Sequence, residues 1–226
     1  MDASHHQNRD KDLSEYKCMG PYLVPGKAPH YLSAAVESDI PEIVRVLNLN
    51  QDIYYNTATI PFPYLEAHGQ EKIAQANAFR SLEGCNSLFA IRTSPEGPLI
   101  GWIQFIPVAV STEDAHYRHP VTGQPVKICL VGYWISPEYQ GQGYASRSTR
   151  FLIEEILFGA LDFDIVRAGS YCDNGPSRAV LVSAGMRCEL ERKEEWSKKL
   201  QIWRDVCTYA RHRAIDHTGH ILFLDH

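Results

Sequence analysis

Two clusters of residues in this chain have types and spacings suited to chemistry. The first is Gln140-Gly141-Gln142-Gly143-Tyr144-Ala145. It follows Ile128-Cys129-Leu130-Val131-Gly132-Tyr133-Trp134-Ile135, a strand-like run rich in β-branched and aromatic residues. Beyond it, Thr149, Leu152, Ile153, Ile156, Leu157 and Ala160 recur at helical spacing. A strand that ends in a glycine turn and opens into a helix gathers unpaired backbone N–H groups at one point. The helix dipole adds partial positive charge there, so the turn suits a phosphate or pyrophosphate. Gly141 and Gly143 let the backbone come close to the anion. The pattern is not G-x-x-x-x-G-K-[ST], since no lysine follows, and Tyr144, Ala145 and Ser146 do not complete G-x-G-x-x-G. Taken alone, the six residues also fit a plain glycine-rich connection.

The second cluster is Asp173-Asn174-Gly175-Pro176-Ser177-Arg178-Ala179-Val180-Leu181, entered from the strand-like run 164–171 and followed by Ala184-Gly185-Met186. Asp, Asn and Ser are favoured where a helix begins, so Asp173 or Asn174 is expected to cap one. Together the clusters resemble the RimJ/RimL-type branch of the GNAT acyltransferases. Gln140, Gly143 and Ala145 fill Q/R-x-x-G-x-G/A, and residues 132–145 follow G-Y-W-x-x-P-x-x-x-G-x-G-Y-A. Residues 173–186 follow D-N-x-x-S-x-x-V-L-x-x-x-G-F, with Met186 at the last place. Upstream, Ile60-Pro61-Phe62-Pro63-Tyr64 followed by Glu66 looks like the P-Y segment on the acceptor side, so the likeness spans about residues 30–211.

The resemblance implies a mixed α/β GNAT fold, with a central sheet of about seven strands splayed between strands four and five and helices on both faces. It implies acetyl-CoA as co-substrate, with the pyrophosphate on Gln140, Gly141, Gln142, Gly143, Tyr144 and Ala145. The pantetheine arm would lie along the backbone of Trp134, Ile135 and Ser136. Asn174 would hydrogen-bond that arm besides capping its helix, and Ser177 would lie nearest the thioester sulfur. The implied reaction is acetyl transfer to a primary amine, on a small molecule or a protein N-terminus, by direct attack on the thioester.

The chain departs from the branch in its acid and base. No tyrosine stands on the Asn174 helix, which leaves Ser177 to stabilise the thiolate. Leu130 and Val131 occupy the place of a common glutamate, and Arg167, Gly169 and Ser170 supply no carboxylate on the next strand. Glu138, His116, His119, Glu66 and Tyr133 remain as bases; Ser177 and Glu138 are the catalytic candidates. These departures keep open a second class of function, a catalytically silent acyl-CoA-binding module. Cys172, beside the Asp173 turn, reads as a small core thiol before it reads as an acyl-accepting nucleophile.

The elements that must hold these residues follow from patterning. Among 226 residues, 44% are hydrophobic, enough for a sizeable core. Residues 1–29 are a polar, Pro- and Gly-punctuated leader expected to be partly disordered or to wrap the domain near Tyr22-Leu23-Val24; residues 30–226 are expected to form one domain. A strand is expected at 31–36 and a helix from Ser38-Asp39-Ile40-Pro41-Glu42. An irregular stretch at 48–64 and a helix over about 65–83 come next. Strands at 87–92 and 99–108 are joined by Ser94-Pro95-Glu96-Gly97-Pro98, and a polar loop spans 109–127. A final hairpin covers about 186–196 and 201–211, and Ile221-Leu222-Phe223-Leu224 stays unplaced. A formal charge of −5 argues against nucleic acid as the partner. Six scattered cysteines without C-x-x-C point to reduced thiols rather than a metal, and no apolar window suits a membrane span. A cytoplasmic monomer or homodimer that takes an amine acceptor is the expectation.

Overall fold

The computed structural model describes residues 19–109, 126–215 and 221–222. His116 and His119, most of the polar loop and residues 1–18 of the leader lie outside them. Eight strands make one sheet: β1 (Tyr22–Val24), β2 (His30–Ala34), β3 (Leu88–Arg92), β4 (Leu99–Val108), β5 (Ile128–Ile135), β6 (Ile165–Tyr171), β7 (Arg187–Ser197) and β8 (Ile202–His212). Their order is β1-β2-β3-β4-β5-β6-β8-β7. Every pairing is antiparallel except that of β5 with β6. The strand beyond the expected seven is β1, part of the stretch expected as leader. It joins the sheet because Val24 is buried and Tyr22 packs on Phe89 and Phe151. The tail contributes a separate two-stranded pair, β9 (Ala214–Ile215) with β10 (Ile221–Leu222).

Helices cover both faces. On one lie α1 (Ile40–Leu47), α2 (Asp52–Asn56) and α3 (Glu66–Glu83). Ile43, Val46, Leu47 and Ile53 there pack with Trp102 and Trp134 of the sheet. The stretch 48–64, expected to be irregular, thus holds one short helix anchored by Ile53. On the other face α4 (Tyr144–Phe151) runs on as a π-helix, Leu152–Ala160, whose wider turns set Leu152, Ile153, Ile156 and Leu157 against the sheet. Beside it lies α5 (Gly175–Ser183). Between these layers β3 is buried along its whole length, as a central strand covered on both faces must be.

The feature that positions the site is a parting of the sheet. Strands β5 and β6 pair only across Ile128–Ile165, Cys129–Val166 and Leu130–Arg167. Beyond Leu130, β5 keeps β4 as its neighbour and β6 keeps β8. The outer partners hold each strand straight while the inner edges separate, and this is the splay expected of strands four and five.

Candidate acyl-transfer site

Backbone direction along β5 decides what faces the gap. Ser136 N–H donates to Ile100 C=O at 2.8 Å, which turns the even-numbered residues of β5 toward β4. Tyr133 and Ile135 therefore present their backbone groups to the gap. Of Trp134, Ile135 and Ser136, only Ile135 does so, and Tyr133 is the second residue. The Trp134 ring packs edge-on against Trp102 at 5.1 Å, in the core under α1. The Ile135 carbonyl is taken by the Gln140 side chain, whose Nε2 donates to it at 3.0 Å. Ser136 Oγ and Trp134 Nε1 are buried polar atoms without a partner among the described residues.

Past β5 the chain makes a short 3-10 turn, Pro137–Tyr139, and then the glycine turn. Gly141 (φ 73°) and Gly143 (φ 78°) are both left-handed, a conformation that side chains other than glycine adopt at a cost. Gly143 is the N-cap of α4. Gln142 Nε2 donates to Glu138 C=O at 3.0 Å and ties the turn to the preceding one. Arg147, one helical turn further, was not legible as a site residue. Its guanidinium donates to Gln142 C=O at 3.2 Å and Ala28 C=O at 2.8 Å, and it lies over the Tyr144 ring at 5.5 Å. The turn thus combines helix N–H groups, glycine backbone and a formal positive charge, a donor set that fits a pyrophosphate. Behind it His30 is buried; its Nε2 accepts from Ser148 Oγ at 2.8 Å and its Nδ1 faces Ala28 C=O at 3.3 Å. Burial pushes the imidazole down to about 4, so it is neutral at ordinary pH.

Two hydroxyls meet in the gap. Asn174 caps α5, its Oδ1 accepting from Ser177 N–H at 3.1 Å. That bond holds Ser177 on the first turn of α5. Tyr133 reaches over from β5, and its hydroxyl lies 3.1 Å from both Ser177 C=O and Ser177 Oγ. Burial raises the Tyr133 pKa, so the phenol keeps its proton. A tyrosine hydroxyl thus meets Ser177 from the strand on the other side of the gap, not from the Asn174 helix. Glu138 is not brought here: it is exposed in the turn after β5, 3.9 Å from Arg45. Glu66, at the exposed start of α3, does not line the gap either. Cys172 is half-buried and takes part in no disulfide among the described residues.

The gap widens into a cavity of about 950 Å³, lined by Tyr133, Ser177 and the opposing β6 residues Ala168–Tyr171. Its far walls are residues 56–61 after α2, one face of α3 and the end of the β7–β8 hairpin. Two cations fasten the hairpin over the mouth. Lys199 donates to the carbonyls of Tyr54 and Ile60, the latter at 2.9 Å, and lies 4.3 Å from the Tyr54 ring centre. Burial, and then the nearby Arg204 charge, push its ammonium down to about 8. Arg204 binds both Asp173 oxygens at 2.6 and 2.8 Å and stacks on Tyr171 at 3.6 Å. On α3, His68, Glu71, Lys72 and Gln75 face the cavity at helical spacing. In the sequence such a stripe is indistinguishable from a solvated helix face, and Lys199 sits in a turn with no motif at all.

Residues 31–187 match the acetyltransferase (GNAT) domain, and the chain belongs to that family. No curated protein matches it. Solved structures share the fold. The ribosomal-protein-S5-alanine acetyltransferase of Vibrio fischeri is 15% identical, with a TM-score of 0.64 over 84% of this chain and 96% of that one. RimL, a ribosomal L7/L12 alpha-N-protein acetyltransferase in complex with coenzyme A, is 18% identical, with a TM-score of 0.63 over 84% and 98%. RimJ of Mycobacterium smegmatis, in complex with CoA-disulfide, is 18% identical, with a TM-score of 0.62 over 82% of each chain.

Proposed function

We propose that this protein transfers the acetyl group of acetyl-CoA to a primary amine by direct attack on the thioester. The observation that carries the reading is the parted β5–β6 edge, with an anion-holding turn beyond one end and the Tyr133–Ser177 pair inside it. The turn from Gln140 to Ala145, with Arg147 beneath it, holds the pyrophosphate. The pantetheine arm pairs with the gap-facing backbone of Tyr133 and the N–H of Ile135, and Asn174, whose Oδ1 caps α5, offers its side-chain N–H to the same arm. This sets the thioester beside Ser177.

A neutral amine attacks the carbonyl carbon; the C–N bond forms, the C–S bond breaks, and the ammonium proton leaves to water through the cavity mouth. Ser177 Oγ donates to the departing thiolate and is re-protonated by the Tyr133 hydroxyl, which recovers its proton from solvent. Glu138 is assigned no step. With no buried carboxylate beside Ser177 among the described residues to act as base, the acceptor must be neutral already. For a lysine side chain that costs about 4–5 kcal/mol at pH 7, against about 1.4 kcal/mol for an α-amine of pKa near 8. The site therefore favours low-pKa amines.

The test is thiol release from acetyl-CoA with an amine panel, beside a calorimetric titration with acetyl-CoA. Binding and release with α-amines ahead of lysine side chains is expected. Binding without release on any amine would support a silent acyl-CoA-binding module instead.

A further inference from the structure

We propose that His68 and Lys72 form an anion-binding subsite in the acceptor half of the cavity, so that the accepted amine is a small molecule with a carboxylate or phosphate of its own. This rests on the acetyl-transfer reading above. The two residues are four apart on α3, hence stacked on one face, and both line the cavity.

The His68 ring has its role set by the helix start. Its Nδ1 accepts from Leu65 N–H at 3.0 Å, which in the neutral ring leaves the proton on Nε2. The ring is steadied by Tyr64, buried and edge-on at 5.3 Å. His68 thus offers a donor and not a base.

Lys72 is half-buried, yet its ammonium has no hydrogen bond or ion pair among the described residues. Lys199 makes the contrast, since that partly buried ammonium is wrapped by two carbonyls. A cation withdrawn from water without acceptors is costly, and burial accordingly lowers the Lys72 pKa. An anion beside it reverses that cost, and Nε2–H of His68 supplies a second donor to the same anion.

The nearby carboxylates do not fill the place. Glu71 is exposed and accepts from Gln75 Nε2 at 3.1 Å, and Glu195 is exposed and 3.4 Å from Lys193. The β4–β5 wall contributes the neutral Gln104, Leu130 and Gly132. With the acid held on α3, the amine of the same molecule points across to Tyr133 and Ser177.

The test compares acceptors that share one low-pKa α-amine: glycyl-β-alanine, its amide, and glycyl phosphoethanolamine. The acid-bearing acceptors should show a KM about tenfold below that of the amide, the effect of one charge-assisted contact. Lys72→Gln should erase that difference by raising the KM of the acids to that of the amide, and Lys72→Arg should keep most of it. Whichever acid has the lower KM identifies the anion. In parallel, glutarate and inorganic phosphate are titrated onto the coenzyme A-loaded protein, where K72Q should weaken the bound anion about tenfold. Equal KM values for acid and amide, or anion binding indifferent to K72Q, overturn the subsite. Anion binding lost in K72Q without thiol release from any amine keeps the subsite and overturns the acetyl-transfer reading. Turnover without acid preference does the reverse.

Discussion

The two halves of the cleft are built in opposite ways. On the proposed reading the donor half comes mostly from consecutive residues: β5, the glycine turn and α4 occupy positions 128–151, and α5 adds Asn174 and Ser177. The acceptor half is assembled from α3, the segment after α2 and the β7–β8 hairpin, which are far apart in the chain and fastened by Lys199 and Arg204. On the same reading, local backbone geometry suits a cofactor fragment that never changes, whereas the acceptor side is built of side chains that only the folded chain brings together. One half is thus a motif and the other a meeting place.

Tyr133 stands at the seam, so its removal tests the division most severely. Tyr133→Phe should lower kcat by about 100-fold, the size expected of a lost proton donor, with the affinity for acetyl-CoA and the amine KM little changed. A rise in KM with kcat intact would move Tyr133 into the acceptor half. Next in size is the turn. Gly143→Ala forces a residue with Cβ into φ 78° and places that Cβ 2.8 Å from Arg147 Nη1. The strain of about 1–2 kcal/mol should weaken acetyl-CoA about tenfold in a calorimetric titration, with the amine KM unmoved.

The clamp is the corresponding probe of the acceptor half. Lys199→Met leaves the Tyr54 and Ile60 carbonyls without their donor and should raise the amine KM by about fivefold, with acetyl-CoA binding unaltered. If acetyl-CoA binding falls as well, the halves are not independent. The smallest effect belongs to His30, behind the glycine turn. Its folded pKa of about 4 lies below the ordinary 6.5, so the folded chain holds fewer protons than the unfolded one between those values. Stability should be flat above about pH 7, fall as the pH drops through 6.5 toward 4, and level off below. A His30→Gln variant should show a shallower decline in thermal melts over that window.

The ordering of secondary structure was legible because hydrophobic period and capping residues act over a few neighbours. The 3.6-residue recurrence at Leu152, Ile153, Ile156 and Leu157 marked a helix, although nothing in it announced the π-helical turns. The strand β1 escaped because Tyr22-Leu23-Val24 is short and flanked by glycine and proline, and only the partners β2 and Phe89 make it a strand. Glu138 stands inside the motif at residues 132–145, yet a carboxylate's use depends on where it points. In the fold it points outward to Arg45.

By itself the sequence determined the family, the glycine turn that opens α4 and the Asn174 cap of α5, since glycine torsions, helix starts and strand propensity are local properties. Tertiary structure alone decided that β5 offers Tyr133 and Ile135 to the gap, because pairing with β4 sets which backbone groups turn inward. It also decided that the Tyr133 hydroxyl meets Ser177 across the gap, and that His68 and Lys72 line a cavity. Those outcomes depend on contacts between residues tens of positions apart, whose geometry no local pattern encodes.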